Sequence, residues 1–283
     1  MGLSDTRNRF RPPQRHPRSI VELIRLGTID AELAGLLWLL VEARFPVTVA
    51  ALVGGVGKST VLGALLMLLP PGVRQVELGG VDETFVWLSG ADPSDTYLVA
   101  AELSNHFPAY TWGAEARTAI QATGRGFGLG ATIHADSLEE VFDELRSPGV
   151  GATEDELSWL GLVVVVRAVR NAAANPDGSP ARRIVAAHYL RPFARDAGGH
   201  IQRLPPAVLA TWDPRDDSFE HFAWGVISEL ALRAGRKSGE FELEVERRRE
   251  YLAGLAAAGV TAMDAVASAI SGYRDERLRA STH

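Results

Sequence analysis

The residues best suited to chemistry stand in the stretch Val47 to Thr60, which reads VTVAALVGGVGKST. An apolar run passes here into a glycine-rich turn, and a Lys-Ser-Thr sequence then opens a second apolar run. This order is typical of a phosphate-binding loop, in which backbone N–H groups at a helix N-terminus surround anionic oxygens. We assign phosphate binding to the following residues: Gly54, Gly55, Val56, Gly57, Lys58, Ser59 and Thr60.

The loop predicts a Mg²⁺–ATP site. In such loops the lysine reaches the β- and γ-phosphates and the next hydroxyl ligates Mg²⁺, so we expect these roles for Lys58 and Ser59. The usual spacing places a glycine at position 52, where this chain has Leu52. Leu52 is compatible with the loop if the chain stays extended there, because a left-handed backbone is strained in residues with a Cβ. The alternative is a glycine-rich turn that binds no ligand.

Two other candidates stand where apolar runs end. Glu102 closes TYLVAAEL, which begins at Thr96, and His134 closes GATIH, which begins at Gly130. The carboxyl ends of parallel strands face the ligand crevice. We expect Glu102 to orient an attacking water or to hold Mg²⁺ through one, and His134 to hydrogen-bond to the γ-phosphate. The alternatives are a surface acid at the sheet edge and a histidine with a structural role.

Strand and helix patterns alternate around these candidates. Predicted strands cover Val47–Leu52, Val73–Leu78, Thr96–Leu103 and Gly130–His134, and predicted helices cover Ser59–Leu69, Ala114–Ala122 and Leu138–Leu145. The runs LVVVVRAV and RRIVAAHYL, on either side of NAAANPDGSP, indicate an antiparallel hairpin. A capping box at Ser137 and Glu140 opens the last of these helices. This alternation predicts an α/β fold with a mainly parallel sheet covered by helices on both faces.

The chain divides into three predicted regions. Residues 1–18 hold five arginines and no glutamate, and we expect a disordered basic arm there, with a docking arm for an acidic partner or anionic lipid as the alternative. Residues 19–200 form the P-loop domain. Residues 201–283 are expected to be a helical subdomain, with helices over Phe219–Ala234, Glu240–Ala257 and Thr261–Leu278.

Composition excludes several classes of protein. The formal net charge of −6 argues against direct nucleic-acid binding, which needs a phosphate-neutralising surface. The 0 cysteines rule out disulfides and thiolate metal sites. The longest apolar runs are shorter than the roughly 18 residues needed to span a bilayer. We therefore expect a cytoplasmic protein, with peripheral attachment at the inner face of the cytoplasmic membrane left open.

The motifs together resemble the type II and type IV secretion and pilus-assembly ATPases, which are ring-forming traffic motors with a RecA-like P-loop core. The resemblance rests on GGVGKST, VELGGVDE, LVAAEL and GATIHADSLEEVFDEL, and it covers roughly residues 19 to 279. It implies that Glu102 is the Walker B-type glutamate and His134 the histidine of the histidine box. Glu77, Asp82 and Glu83 fall near the family's acidic box.

The resemblance also implies ligands and partners. They are ATP and Mg²⁺, a hexameric homo-oligomeric ring, and the inner-membrane platform proteins of a secretion or pilus machine. The chain departs from the family pattern at Leu52, Ala101 and Ser104, and in an extra segment within SNHFPAYTWGAEA. The large N-terminal domain that supplies arginines to the family's nucleotide site is not found in these 283 residues.

Three functions remain open at this point. The first is an ATP-hydrolysing motor subunit. The second is a nucleotide-binding assembly or regulatory subunit that does not hydrolyse ATP. The third is a partition-type ATPase, which shares GGVGKST but needs a lysine just before the two glycines, where this chain has Val53.

Overall fold

The computed structural model describes residues 17–170, 180–195 and 201–281. The described helices are α1 (Ile20–Arg25), α2 (Ala31–Glu42), α3 (Lys58–Leu66), α4 (Gly113–Gly124), α5 (Leu138–Arg146), α6 (Glu154–Leu157), α7 (Ile227–Arg233), α8 (Ser238–Ala257) and α9 (Met263–Ser281). The described strands are β1 (Val47–Ala50), β2 (Arg74–Glu77), β3 (Thr96–Leu103), β4 (Gly128–Ile133), β5 (Leu162–Val169), β6 (Ala181–Tyr189), β7 (Ala194–Arg195), β8 (Ile201–Gln202), β9 (Ala207–Asp213) and β10 (Ser218–His221). Residues 1–16 of the predicted basic arm and the predicted hairpin link at 171–179 lie outside these ranges.

Eight strands form one sheet in the order β10-β9-β6-β5-β1-β4-β3-β2. The half from β5 to β2 is parallel throughout, and β6, β9 and β10 extend it in antiparallel pairing. The strand after the phosphate-binding loop, β2, lies at one edge, and β4 is inserted between β1 and β3. This order is that of a RecA-like P-loop core, and it confirms the predicted α/β class.

Both faces of the sheet are covered because its central strands are apolar on both sides. Val47 and Val49 of β1 belong to one hydrophobic cluster, with residues of α2, α3, α8 and α9. Ala50 belongs to the other cluster, with residues of α4 and α5. All four residues of β1 are buried. The loop that follows β1 therefore starts from a rigid strand in the centre of the sheet.

The predicted elements agree with the structure through most of the parallel half. The bounds of β3 are those predicted, and β5 and β6 pair antiparallel as expected. The capping box at α5 is only half formed: Ser137 Oγ accepts from the Glu140 N–H, but Glu140 accepts from the N–H of Asp136.

The region from residue 207 to 221 differs from the helical expectation. It contains β9 and β10, and α-helix begins only at Ile227. The physical reason is that the backbone groups on the free edge of β6 need hydrogen-bond partners. Strand β9 supplies them by pairing antiparallel with β6, for example Ala187 with Ala210. The division of the chain at residue 200 stays a prediction. Among the described helices none is both long and apolar enough to cross a membrane.

Helix α2 is buried on every side from Leu33 to Val41 because it lies between the sheet and α8. The two helices approach each other closely at Gly35. A Cβ on Gly35 would lie 2.8 Å from the backbone nitrogen of Arg249 and 3.0 Å from the carbonyl oxygen of Val245. Glycine is therefore required there by the packing of α8.

We predict opposite effects for two glycine-to-alanine substitutions in helices. Gly35→Ala lowers the free energy of unfolding by about 1–3 kcal/mol because its Cβ collides with the α8 backbone. Gly63→Ala on α3, where a Cβ meets nothing within 4 Å, raises it by about 0.5–1 kcal/mol through helix propensity. Urea denaturation followed by far-ultraviolet circular dichroism measures both. Equal stability of the two variants would contradict the packing of α8 on α2.

Candidate functional site

The phosphate-binding loop connects the buried strand β1 to the first turn of α3. Gly55 and Gly57 have φ angles of 83° and 112°, which glycine adopts without strain. The carbonyl oxygen of Gly57 accepts a hydrogen bond from the Val61 N–H at 2.9 Å and so begins the helix. Leu52 is not among the non-glycine residues with positive φ in the described ranges. Leu52 in place of the usual glycine therefore causes no left-handed strain.

Lys58 is almost fully buried at the base of this loop. Its side chain is 7% exposed, and its Nζ donates to the carbonyl oxygen of Ala51 at 3.3 Å. Nζ also lies 3.4 Å from Oε2 of Glu102. Burial lowers the pKa of Lys58 below its usual value, and the charge and hydrogen bond of Glu102 oppose that shift. The ammonium group thus has two partners from the protein itself.

Strand β3 carries a β-bulge next to Glu102. Along β3 and β4, Ala100 pairs with Ala131 but Leu103 pairs with Ile133, so β3 carries one extra residue at this point. The hydroxyl of Thr132 donates to the carbonyl oxygen of Ala101 at 2.7 Å, which satisfies a backbone group that the bulge leaves unpaired. At this irregular point the carboxylate of Glu102 is buried beside Lys58, with its side chain 10% exposed.

His134 completes the contact between the three predicted catalytic residues. It follows the last residue of β4, and its Nε2 lies 3.1 Å from Oε1 of Glu102. Its Nδ1 lies 3.0 Å from the carbonyl oxygen of Leu52. Because a carbonyl oxygen only accepts, Nδ1 carries a hydrogen and donates it to Leu52. His134 therefore connects the start of the phosphate-binding loop to Glu102.

The structure brings Lys58, Glu102 and His134 together, whereas Ser59 lies exposed on the first turn of α3. Gly54 and Gly55 are also exposed, Val56 is buried and Thr60 is half-buried. The arrangement fits a phosphate group, since loop N–H groups and a lysine meet at a helix N-terminus. The hydroxyl of Ser59 and the carboxylate of Glu102 are oxygen ligands of the kind that Mg²⁺ prefers. The catalytic and binding roles stay predictions.

Three further residues belong to this site. Ser104 Oγ donates to Oε1 of Glu102 at 3.2 Å, and the His106 ring lies edge-on to the His134 ring with centroids 5.3 Å apart. The side chain of Arg182, from β6, packs over the loop. A Cβ built on Gly57 would lie only 3.3 Å from the Cδ of Arg182. Ser104 and His106 follow Glu102 closely in the chain, and this proximity could have identified them as candidate site residues. Nothing in the sequence near Arg182 indicates that β6 passes the loop.

Glu83, one of the acidic residues near the family's acidic box, forms hydrogen bonds within its own loop. Oxygens of Glu83 accept hydrogen bonds from the N–H groups of Gly79 and Phe85 and from the indole of Trp87, at 2.9 to 3.0 Å. Partial burial favours the neutral acid, but these hydrogen bonds outweigh it and lower the pKa of Glu83. Glu83 therefore organises its own loop.

Comparison with known proteins gives distant relatives. No protein-family profile matches the chain. It is 27% identical over 261 residues to the uncharacterized protein MJ1287 of Methanocaldococcus jannaschii, across 83% of this chain and 90% of that protein.

Two solved structures are similar to parts of the chain. The VirB11 ATPase from the Brucella suis type IV secretion system, in complex with sulphate, aligns with a TM-score of 0.38 and 21% identity over 63% of this chain and 67% of its own. The Legionella pneumophila ATPase DotB aligns with a TM-score of 0.33 and 13% identity over 57% of this chain and 50% of its own.

We predict that the loop glycines differ in their tolerance of alanine. Gly57→Ala lowers the free energy of unfolding by about 1–2 kcal/mol because position 57 has a left-handed backbone. Gly54→Ala changes it little, since φ is not positive there and a Cβ meets nothing within 4 Å. Thermal unfolding of the ligand-free protein measures both. A Gly57→Ala protein as stable as the wild type would contradict the loop conformation.

Proposed function

We propose that the chain is an ATP-binding, Mg²⁺-dependent ATP-hydrolysing subunit of a secretion or type IV pilus-like assembly machine, of the type II/type IV secretion ATPase family. The observation that carries this proposal is the contact of Lys58, Glu102 and His134 where three adjacent parallel strands end. Phosphoryl transfer to water uses a lysine that binds the phosphates and a polar residue that orients the attacking water. Lys58 and Glu102 are side chains of these types, and His134 contacts Glu102.

Each group has a task that its geometry permits. Lys58 exchanges the carbonyl oxygen of Ala51 and the carboxylate of Glu102 for phosphate oxygens. Glu102, released from that ion pair, accepts a hydrogen bond from the attacking water and orients it. His134 is held by Leu52, so its Nε2 is directed to the space shared by Glu102 and the γ-phosphate. Ser59, and Glu102 through a water, would hold Mg²⁺, which would supply charge neutralisation of the phosphates.

Arg182 supplies a second cation within the same chain. Its side chain lies against Gly57, next to the N–H groups that would surround the phosphates. A guanidinium group recognises phosphate through a planar fork of donors. Arg182 therefore fills part of the role for which the family uses arginines of another domain.

An apolar surface beside the site supports a ring of subunits. Three apolar side chains near the site are at least half exposed: Val81 at 50%, Val86 at 76% and Phe107 at 56%. The segments that carry Val81 and Phe107 are joined where the Val81 N–H donates to the carbonyl oxygen of Pro108 at 3.0 Å. Exposed apolar patches often mark protein interfaces. We propose that this patch contacts another copy of the chain in a hexameric ring in the cytoplasm, and that platform proteins of the inner membrane bind the ring.

One observation favours the non-hydrolysing alternative. The carboxylate of Glu102 already contacts Lys58, His134 and Ser104. These contacts leave the carboxylate little freedom to orient a water. In that case the chain binds nucleotide to assemble or regulate a ring in which another protein hydrolyses ATP. Turnover measurements separate the two functions.

We predict that the purified protein hydrolyses ATP only with Mg²⁺. Lys58→Ala abolishes turnover because it removes the phosphate-binding cation, and Glu102→Gln lowers kcat by about 100-fold or more while ATP still binds. Glu250→Gln, an exposed substitution on α8, serves as the charge-matched control with wild-type turnover. Phosphate release and particle mass are measured with and without nucleotide, and circular dichroism checks the folding of each variant.

The outcomes of this experiment are distinct. Unchanged turnover in Lys58→Ala contradicts the proposed site. Turnover as low in the wild type as in Glu102→Gln, together with ATP-dependent assembly, supports the non-hydrolysing subunit instead.

Arg182 gives a separate prediction on affinity. Arg182→Gln weakens ATP binding by about tenfold or more, because it removes one charge-assisted contact to phosphate. Arg236→Gln, an exposed substitution after α7, makes the same change in net charge and leaves the affinity unchanged. Titration of a fluorescent ATP analogue at constant ionic strength compares them. Equal weakening in both variants would mean that only net charge matters.

A further inference from the structure

We propose that Glu102, His106 and His134 form a binding site for a transition-metal dication of the Zn²⁺ class. Each residue offers one ligand atom, and the three atoms all lie within 4.8 Å of one another. Two imidazoles and one carboxylate, with an open position for water, form a common ligand set of zinc and other first-row metals. Metal binding here does not depend on ATP hydrolysis.

The distances suit a metal of this size. Zinc bonds of 2.0–2.1 Å to nitrogen and oxygen set ligand atoms about 3.3 Å apart in tetrahedral geometry. Nε2 of His134 and Oε1 of Glu102 are 3.1 Å apart, close to that separation. His106 has to move inward by at most about 1.5 Å to reach the same spacing. Its side chain is exposed, so little packing opposes the movement.

The hydrogen bond of His134 to Leu52 is the second observation that points to a metal. Metal-binding histidines almost always donate their other ring N–H to a carbonyl or carboxylate oxygen. His134 does so through Nδ1, at 3.0 Å from the Leu52 carbonyl oxygen. With Nδ1 directed to Leu52, Nε2 is the ring nitrogen that faces Oε1 of Glu102, at 3.1 Å, and it is the atom that a metal ion between the two residues would bind.

The segment that carries His106 is anchored on both sides of the site. The Thr111 N–H donates to the carbonyl oxygen of Glu102 at 2.9 Å, and the His106 N–H donates to Ser104 Oγ at 3.4 Å. Its far side is joined to the loop after β2 through Pro108. These contacts hold the backbone of His106 near Glu102 while its side chain remains adjustable.

The ligand chemistry selects against Mg²⁺ at this position. Mg²⁺ prefers oxygen ligands, whereas imidazole suits Zn²⁺, Co²⁺, Ni²⁺ and Cu²⁺. The ammonium group of Lys58, 3.4 Å from the other oxygen of Glu102, opposes the metal charge and moderates the affinity. A metal on Oε1 leaves Oε2 with Lys58. The bound state therefore keeps the ion pair and holds the carboxylate in place.

Direct metal titration of the full chain tests the proposal. For this experiment the protein is prepared without a polyhistidine tag and is first treated with a chelator to remove bound metal. Zn²⁺ is then titrated by calorimetry, and Co²⁺ by its visible absorption, which reports nitrogen ligands. We expect one Zn²⁺ per chain, with affinity lowered by about tenfold or more in His106→Asn and in His134→Asn. Asn105→Ala, the exposed neighbouring substitution, keeps wild-type affinity.

Two results overturn the proposal. One is Zn²⁺ affinity in His106→Asn equal to that of the wild type, which places the metal on other histidines of the chain. The other is the absence of a Co²⁺ absorption band that depends on His134.

A consequence for regulation rests on the proposed ATPase function. Zn²⁺ on Glu102 keeps the carboxylate from the attacking water, so Zn²⁺ inhibits turnover of the wild type and inhibits His106→Asn about tenfold less strongly. The two proposals fail separately. A protein that binds Zn²⁺ at this site but has no ATPase activity contradicts only the proposed function, and an active ATPase that binds no Zn²⁺ contradicts only the metal site.

Discussion

The buried ion pair between Lys58 and Glu102 is the interaction on which the rest of the site depends. Both side chains are at most 10% exposed, and a buried charge without a partner costs several kcal/mol. Each charge is therefore tolerable in the interior only beside the other. The pair joins the helix that follows β1 to the end of β3, although β4 lies between these two strands. Any ligand that draws Lys58 away must supply a negative charge in exchange, and phosphate does so.

The parallel register of the central strands makes this pair possible. β4 lies between β1 and β3 and pairs with both, so the ends of the three strands meet at one edge of the sheet. Glu102 lies at the bulge in β3, and His134 extends from the end of β4 to its carboxylate. Glu102 is consequently the shared partner of a lysine, a histidine and a serine. The proposed phosphate binding, water orientation and metal binding would all involve that one carboxylate.

Much of this was predictable because local patterns carry it. The glycines and the Lys-Ser-Thr of the loop indicated phosphate binding, and the apolar runs ending in Glu102 and His134 indicated strands that deliver side chains to one edge. The prediction was wrong between residues 207 and 221, where helix was expected in part and strands are found. Pairing of β9 and β10 depends on the edge of β6, which is far away in the chain, so no local pattern reports it.

The sequence alone was enough for the fold class, for the glycine-rich loop between β1 and α3 and for the residue types of the candidate site, since these follow from periodicity and from spacing within short segments. Phosphate binding by the loop stays a prediction. The approach of Arg182 to Gly57, the burial of Glu102 at the bulge and the grouping of His106 with His134 emerged only from the folded chain. They join segments whose distance is set by strand order, register and the packing of helices on both faces of the sheet. Such long-range contacts depend on the whole core at once, and a short stretch of residues does not specify them.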